Sequence, residues 1–165
     1  MDMKVFDDAM MAGLVEQAKA SPRLRANLNV HEDLNEPVQR LFIAMEPGSY
    51  VQPHRHIESY KWEFFMAVRG RLVMLVFDDN GTVTRREELA SNGAVNGVEL
   101  PPNVWHTVIA LDEGSLFYEI KQGPYAPMTD KGFATWAPKE SAPEVAVFYQ
   151  WLTTANVGDT VPNVT

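Results

Sequence analysis

A chain of 165 residues, 45% hydrophobic and 22% charged, has the size of one domain and the composition of a globular protein, which excludes collagen-like, coiled-coil and wholly disordered chains. It has no cysteine, so neither a disulfide framework nor a thiolate metal site can form, and any metal must sit on imidazole nitrogen and oxygen. A net charge of −8 repels phosphate backbones and anionic membrane surfaces, so nucleic acid is not an expected partner.

The N-terminal Met1-Asp2-Met3-Lys4 lacks the basic stretch and long apolar core of an export signal, and a cytoplasmic location is expected. No apolar run reaches the ~18 residues of a membrane span, so no membrane partner is expected. Asp7 to Ala20 opens with acidic residues and puts Met10, Leu14 and Ala18 on one stripe beside Met11 and Val15, which predicts an amphipathic helix. Ser21-Pro22 stops it, and Arg23 to Glu36, without clear period before Pro37, reads as irregular.

From Val38 the pattern turns to strands. Leu41 to Met45 is an apolar run ended by Pro47-Gly48, and Trp62 to Val68 and Leu72 to Phe77 flank Gly70. Asn80-Gly81 then predicts a tight hairpin with positive φ at both positions. Further strands are expected over Thr82 to Leu89, Ala94 to Leu100, Trp105 to Leu111 and Ser115 to Gln122, each bounded by turn residues, which is the spacing of a β-barrel or sandwich. Val73, Leu75, Phe77, Ile109, Trp62 and Trp105 are expected in packing positions. Past Gly123-Pro124 the alternation is lost until Ser141 and Glu144 form a capping box before Val145, Phe148 and Leu152, predicting a short helix and then a tail from Asn156 to Thr165. The organisation expected is a lead-in over 1–36, a barrel over 37–126 and an extension over 127–165.

Two of the four histidines stand as His54-Arg55-His56. In an extended strand residues i and i+2 share a face, so both imidazoles can converge on one point while Arg55 turns away. His106 follows the turn Pro101-Pro102-Asn103 and enters from another direction, and Glu63 on the next strand offers an oxygen. Three imidazoles and a carboxylate suit one divalent transition metal (Fe, Mn, Ni, Zn or Co) and disfavour calcium and magnesium. Four protein ligands leave up to two octahedral positions open, as catalysis requires.

Gly48, five residues, His54-x-His56, then Glu63, six residues and Gly70 resembles the first cupin motif, except that six residues rather than three or four separate His56 from Glu63. Glu58 is therefore a rival ligand, and Glu63 is preferred for its distance to Gly70 and its place at the head of an apolar strand. Gly93, seven residues, Pro101-x-Asn103-x-x-His106 resembles the second motif, with Asn103 where glycine is usual and Ala110 where asparagine is. Asparagine tolerates the left-handed backbone that this turn needs. Ser21-Pro22-Arg23-Leu24-Arg25, Asn29-Val30-His31, Pro37-Val38-Gln39-Arg40, Pro53-His54-Arg55-His56, Lys61-Trp62-Glu63 and Gly123-Pro124-Tyr125 are similar to the WbuC-type cupin-fold metalloproteins, over most of the chain.

The resemblance implies a mainly β cupin fold, a double-stranded β-helix or jelly-roll barrel, with an N-terminal helix and a short C-terminal helix. It also implies chemistry related to polysaccharide biosynthesis, and the fold suggests a homodimer. The partner expected is a small-molecule substrate or ligand. Three functions are carried forward: a metal-dependent isomerase or epimerase in which Glu63, or Glu58 if Glu63 ligates the metal, is the catalytic residue that moves a proton, an iron-dependent dioxygenase, and a non-catalytic small-ligand-binding module. Arg40, Tyr50, Gln52 and Tyr125 are candidates to line the pocket, while His31, with nothing nearby at ligand spacing, is assigned to loop packing.

Overall fold

The computed structural model describes residues 3–162. Met1 and Asp2, and the last three positions of the expected tail, Asn163, Val164 and Thr165, lie outside the described residues.

Helix α1 (Asp8–Ala20) is capped by Asp7, whose carboxylate accepts from the Met10 amide at 2.9 Å, and it buries Leu14, Val15 and Ala18. The stretch expected to be irregular contains a strand instead. β1 (Arg25–Asn29) pairs antiparallel with β2 (Val38–Met45), placing Arg25 opposite Met45 and Asn29 opposite Leu41. Its sequence Arg-Ala-Asn-Leu-Asn has no apolar run, and the β2 backbone rather than its own burial orders it.

The remaining strands are β3 (Glu63–Arg69), β4 (Arg71–Phe77), β5 (Val83–Ala90), β6 (Gly97–Leu100), β7 (Trp105–Ala110) and β8 (Ser115–Gln122). They form one sheet in the order β1-β2-β8-β3-β6 and a second in the order β5-β4-β7, with every pairing antiparallel. At the β4–β5 hairpin only Gly81 of the Asn-Gly pair takes a positive φ, 81°. The Asp78 carboxylate accepts from the Asn80 and Thr82 amides at 2.9 and 2.8 Å, so an Asp-led turn closes the hairpin where the two-residue turn was expected.

Each sheet has an outer cover. α1 packs on Phe42, Ala44 and Leu116 of the first sheet. The second sheet turns Val73, Leu75, Phe77 and Ile109 outward against Ala134, Ala137 and helix α2 (Val145–Thr154), which buries Phe148 and Leu152. The capping box expected at α2 does not form: Glu144 is the N-cap residue and makes no side-chain hydrogen bond. The other end is held from the barrel, where the Arg86 guanidinium donates to the carbonyls of Leu152, Thr153 and Ala155 at 2.9 to 3.0 Å.

Between the sheets Met45, Phe65, Ala67, Leu72, Met74, Val108 and Phe117 make an apolar floor. The mainly β barrel with a helix at either end is thus the fold observed, and among the described residues no helix is long and apolar enough to cross a membrane.

Candidate metal centre

Alternation along β8 sets the chemistry of the barrel interior. Ser115, Phe117, Glu119 and Lys121 share one face. Phe117 belongs to the apolar floor, so Glu119 stands just above it at the inner end and Lys121 reaches the open chamber. The register then places Lys121 opposite Gln39 on β2 and opposite Glu63 on β3, so Gln39, Lys121 and Glu63 form one row across three strands. His106 arrives from β7 of the facing sheet, two residues before Val108 of the floor.

His54 comes from a stretch that forms no regular strand. It is fixed by a bridge in which the His54 amide donates to the His106 carbonyl at 3.0 Å and the His106 amide returns a bond at 2.9 Å. On its other side the Arg55 amide donates to Gly132 and the Ala134 amide to Pro53, at 2.8 and 2.9 Å, so the C-terminal extension backs the site. Asn103 takes the left-handed backbone expected of it, with φ 66°, and its amide donates to the His56 carbonyl at 2.7 Å.

His54, Glu63 and His106 converge, and His56 stands beside Glu63. His106 Nε2 lies 3.0 Å from Glu63 Oε2, and His56 Nε2 lies 3.0 Å from Glu63 Oε1. The rings of His54 and His106 are 4.4 Å apart and those of His54 and His56 5.7 Å. One donor atom from each of His54, Glu63 and His106 lies within 4.8 Å of the others; His56 falls outside this triangle and joins it through Glu63. Arg55 turns away as expected, its guanidinium 4.1 Å over the Trp105 ring and 3.3 Å from Asp79. Glu58 stands beside His56 at the edge of a separate small crevice and is outside the triangle.

Burial, and then the neighbouring His106, push the His54 imidazole down to about 3, so it is neutral in ordinary conditions. Burial would raise Glu63, but His106 and His56 outweigh it and hold the carboxyl well below its usual range. For His106 burial works downward, and the Glu63 carboxylate overcomes it and raises the ring. Lys121 keeps its ammonium because Glu119, 2.6 Å from Nζ, and Glu63, 4.0 Å away, outweigh burial.

The donor set fits a transition metal. His54 Nδ1 and His106 Nδ1 each lie 2.9 Å from the backbone carbonyl of the residue two before, Gln52 and Val104, which fixes Nδ1 as the protonated nitrogen and leaves Nε2 as the free donor. His106 Nε2 is fully buried and has no hydrogen bond, its contact with Glu63 being out of line for one. A buried Nε2 without a hydrogen bond, 3.0 Å from a carboxylate, marks a place for positive charge, which a proton on the ring or a metal ion between the two groups supplies.

Of the four residues expected to line the pocket, Tyr125 does so. Arg40 pairs instead with Glu36 at 3.0 Å. The Tyr50 ring is buried against Phe148, with its hydroxyl donating to Pro138 at 2.7 Å, and Gln52 donates to the Ala134 carbonyl at 3.1 Å. Both belong to the joint with the C-terminal extension, because the unpaired chain from Tyr50 to His54 does not keep a strand's alternation. The chamber, about 190 Å³, is walled by Gln39, Lys61, Trp62, Lys121 and Gln122, none of them expected there. Trp105 is core as expected, while Trp62 is a half-buried wall residue. His31 packs its loop, with Nδ1 3.0 Å from the Arg40 amide.

A family model described as "Domain of unknown function (DUF6016)" matches residues 6–89, just over half of the chain. No curated protein matches. Among solved structures, the conserved SPY1581 protein of unknown function from Streptococcus pyogenes is 9% identical over 76% of this chain and 92% of that one, with a TM-score of 0.51. KdgF from Halomonas sp. is 16% identical over 64% of this chain and 84% of its own, with a TM-score of 0.49. A cupin 2 domain-containing protein from Halorhodospira halophila is 20% identical over 65% and 72%, with a TM-score of 0.46. At such identities the likeness is one of fold, and the mainly β barrel of two antiparallel sheets expected from the sequence is the fold of the chain.

Proposed function

The chain belongs to the DUF6016 family of domains of unknown function, and from that starting point we propose that it is a mononuclear metalloprotein holding one divalent transition metal on His54, His56, Glu63 and His106. The observation that carries the proposal is the buried His106 Nε2, without a hydrogen bond and 3.0 Å from a carboxylate that is itself almost wholly enclosed. Three imidazoles with one carboxylate suit iron, manganese, nickel, zinc or cobalt and not a hard, all-oxygen cation. Bound there, such an ion supplies Lewis acidity toward a substrate oxygen.

The chain's own residues define the rest. Both oxygens of Glu63 face imidazoles, which makes it a holding group rather than a free base. Trp62, Tyr125 and Gln122 offer ring faces and an amide to a ligand rich in hydroxyl groups. A volume of about 190 Å³ lies below the ~300–1,000 Å³ of sites for drug-sized ligands, which favours a small substrate. Together with the WbuC-type resemblance, these features support isomerase- or epimerase-like chemistry on a small sugar-related molecule.

The test is turnover of a panel of small aldoses, ketoses and sugar acids after reconstitution with each candidate metal. The His54→Ala/His56→Ala double variant is the control. Metal-dependent turnover absent from the control is expected. Saturable binding without turnover would make the protein a binding module, and dioxygen consumption with iron alone would make it a dioxygenase.

A further inference from the structure

Around the chamber the lysines and the carboxylates balance two against two before any metal enters. Lys61 and Lys121 line it as cations and Glu63 and Glu119 stand against them as anions, while Arg25 at the inner end is already paired with Glu140 at 2.6 Å. His54 is neutral. A divalent ion on the triangle therefore leaves two positive charges uncompensated in an enclosed space, where the low dielectric makes unbalanced charge costly. Each ammonium has a protein partner, but neither has all three of its hydrogens taken. Lys121 Nζ has Glu119 at 2.6 Å and Glu63 at 4.0 Å, and Lys61 Nζ donates one of its three hydrogens to the Pro124 carbonyl at 3.0 Å.

We propose that the ligand of this chamber is a small organic anion of one or two negative charges, with Lys121 and Lys61 as its counter-charges beside the metal. The inference rests on the metal reading above, since without the ion the four charges already balance. Two oxyanions share the required chemistry, a carboxylate and a phosphate monoester, and both fit the volume. Lys121 is the more telling of the two cations, because the register fixes it in one row between Gln39 and Glu63, next to a proposed ligand. It is a positioning residue for the anion.

The experiment is calorimetric titration of the full chain reconstituted with Zn(II), its metal content measured on the same sample. The probes are malonate, inorganic phosphate and the uncharged malonamide. Saturable binding of malonate or phosphate and none of malonamide is expected, and which anion binds tells carboxylate from phosphate. In Lys121→Met the anion should bind about tenfold or more weakly, and Lys121→Arg should retain it. If zinc is bound but malonamide binds as tightly as the anions, or no anion binds, the inference falls and the metal site stands. If no zinc is bound, both fall. Should Lys121→Met fail to fold, the comparison of malonate with malonamide on the unaltered chain decides alone.

Discussion

His54 and His106, far apart in the sequence, are joined by a reciprocal pair of backbone hydrogen bonds of 3.0 and 2.9 Å, and each ring tethers its Nδ1 to the carbonyl two residues before it. Two copies of one local device thus aim two Nε2 atoms at one point, and the aim is set before any ion arrives. His106→Ala should abolish stoichiometric metal binding. With zinc at about 100 times its Kd the unaltered chain should gain ~2.7 kcal/mol against unfolding, and the variant none. Thermal melts with and without zinc measure both, and an equal gain in the variant would remove His106 from the site.

Glu140 ties the C-terminal extension to β1, accepting from Arg25 at 2.6 Å and from Arg23 at 2.9 and 3.0 Å. Burial alone would raise its carboxyl, but the hydrogen bonds and charges of the two arginines hold it below its ordinary value of 4.5. A carboxyl lowered in the folded state stabilises above its unfolded pKa, and that contribution is lost as pH falls through the folded value. Glu140→Gln should therefore cost about 1 kcal/mol near pH 7, a modest figure because Arg23 is largely exposed, and progressively less below about pH 4.5. Urea unfolding of both proteins from pH 7 down to pH 3 gives the comparison; a difference that stays constant across that range contradicts the clamp.

Arg86 closes the end of α2 by donating to three carbonyls that no helix turn can satisfy. Arg86→Met should fray the last turn of α2, speeding amide exchange there and costing about 1–2 kcal/mol. Unchanged exchange in α2 would show that the packing of Phe148 and Leu152 suffices without it.

At Gly70, between β3 and β4, φ is +66° and an added Cβ would come within 2.5 Å of Ser115 Oγ and 3.1 Å of Ser115 Cα. Gly70→Ala should destabilise the fold by about 2 kcal/mol, through backbone strain together with the clash. A chemical-denaturation midpoint equal to that of the unaltered chain would contradict this.

Much of this arrangement is legible in the residues. β8 could be placed from its turn residues alone, and the His54-x-His56, Glu63 and His106 spacing identified groups that do meet. β1 was missed because an edge strand held by a neighbour's backbone need not show an apolar pattern. Tyr50 and Gln52, polar and aromatic side chains close in sequence to His54, suggest a pocket lining, but both are spent on the joint with the C-terminal extension. Lys121 and Glu119 were overlooked although a signal existed: they share the parity of Phe117, so ionisable side chains were due on the core-facing side of a strand, where they mark function more often than solvation.

The most direct test is anomalous X-ray diffraction, at the absorption edge of the resident metal, from crystals of protein purified without added metal. One peak about 2.0–2.2 Å from ring nitrogens of His54, His56 and His106 and from a Glu63 oxygen is expected. A well-ordered chamber with no peak there, the metal bound elsewhere or not at all, would contradict the account.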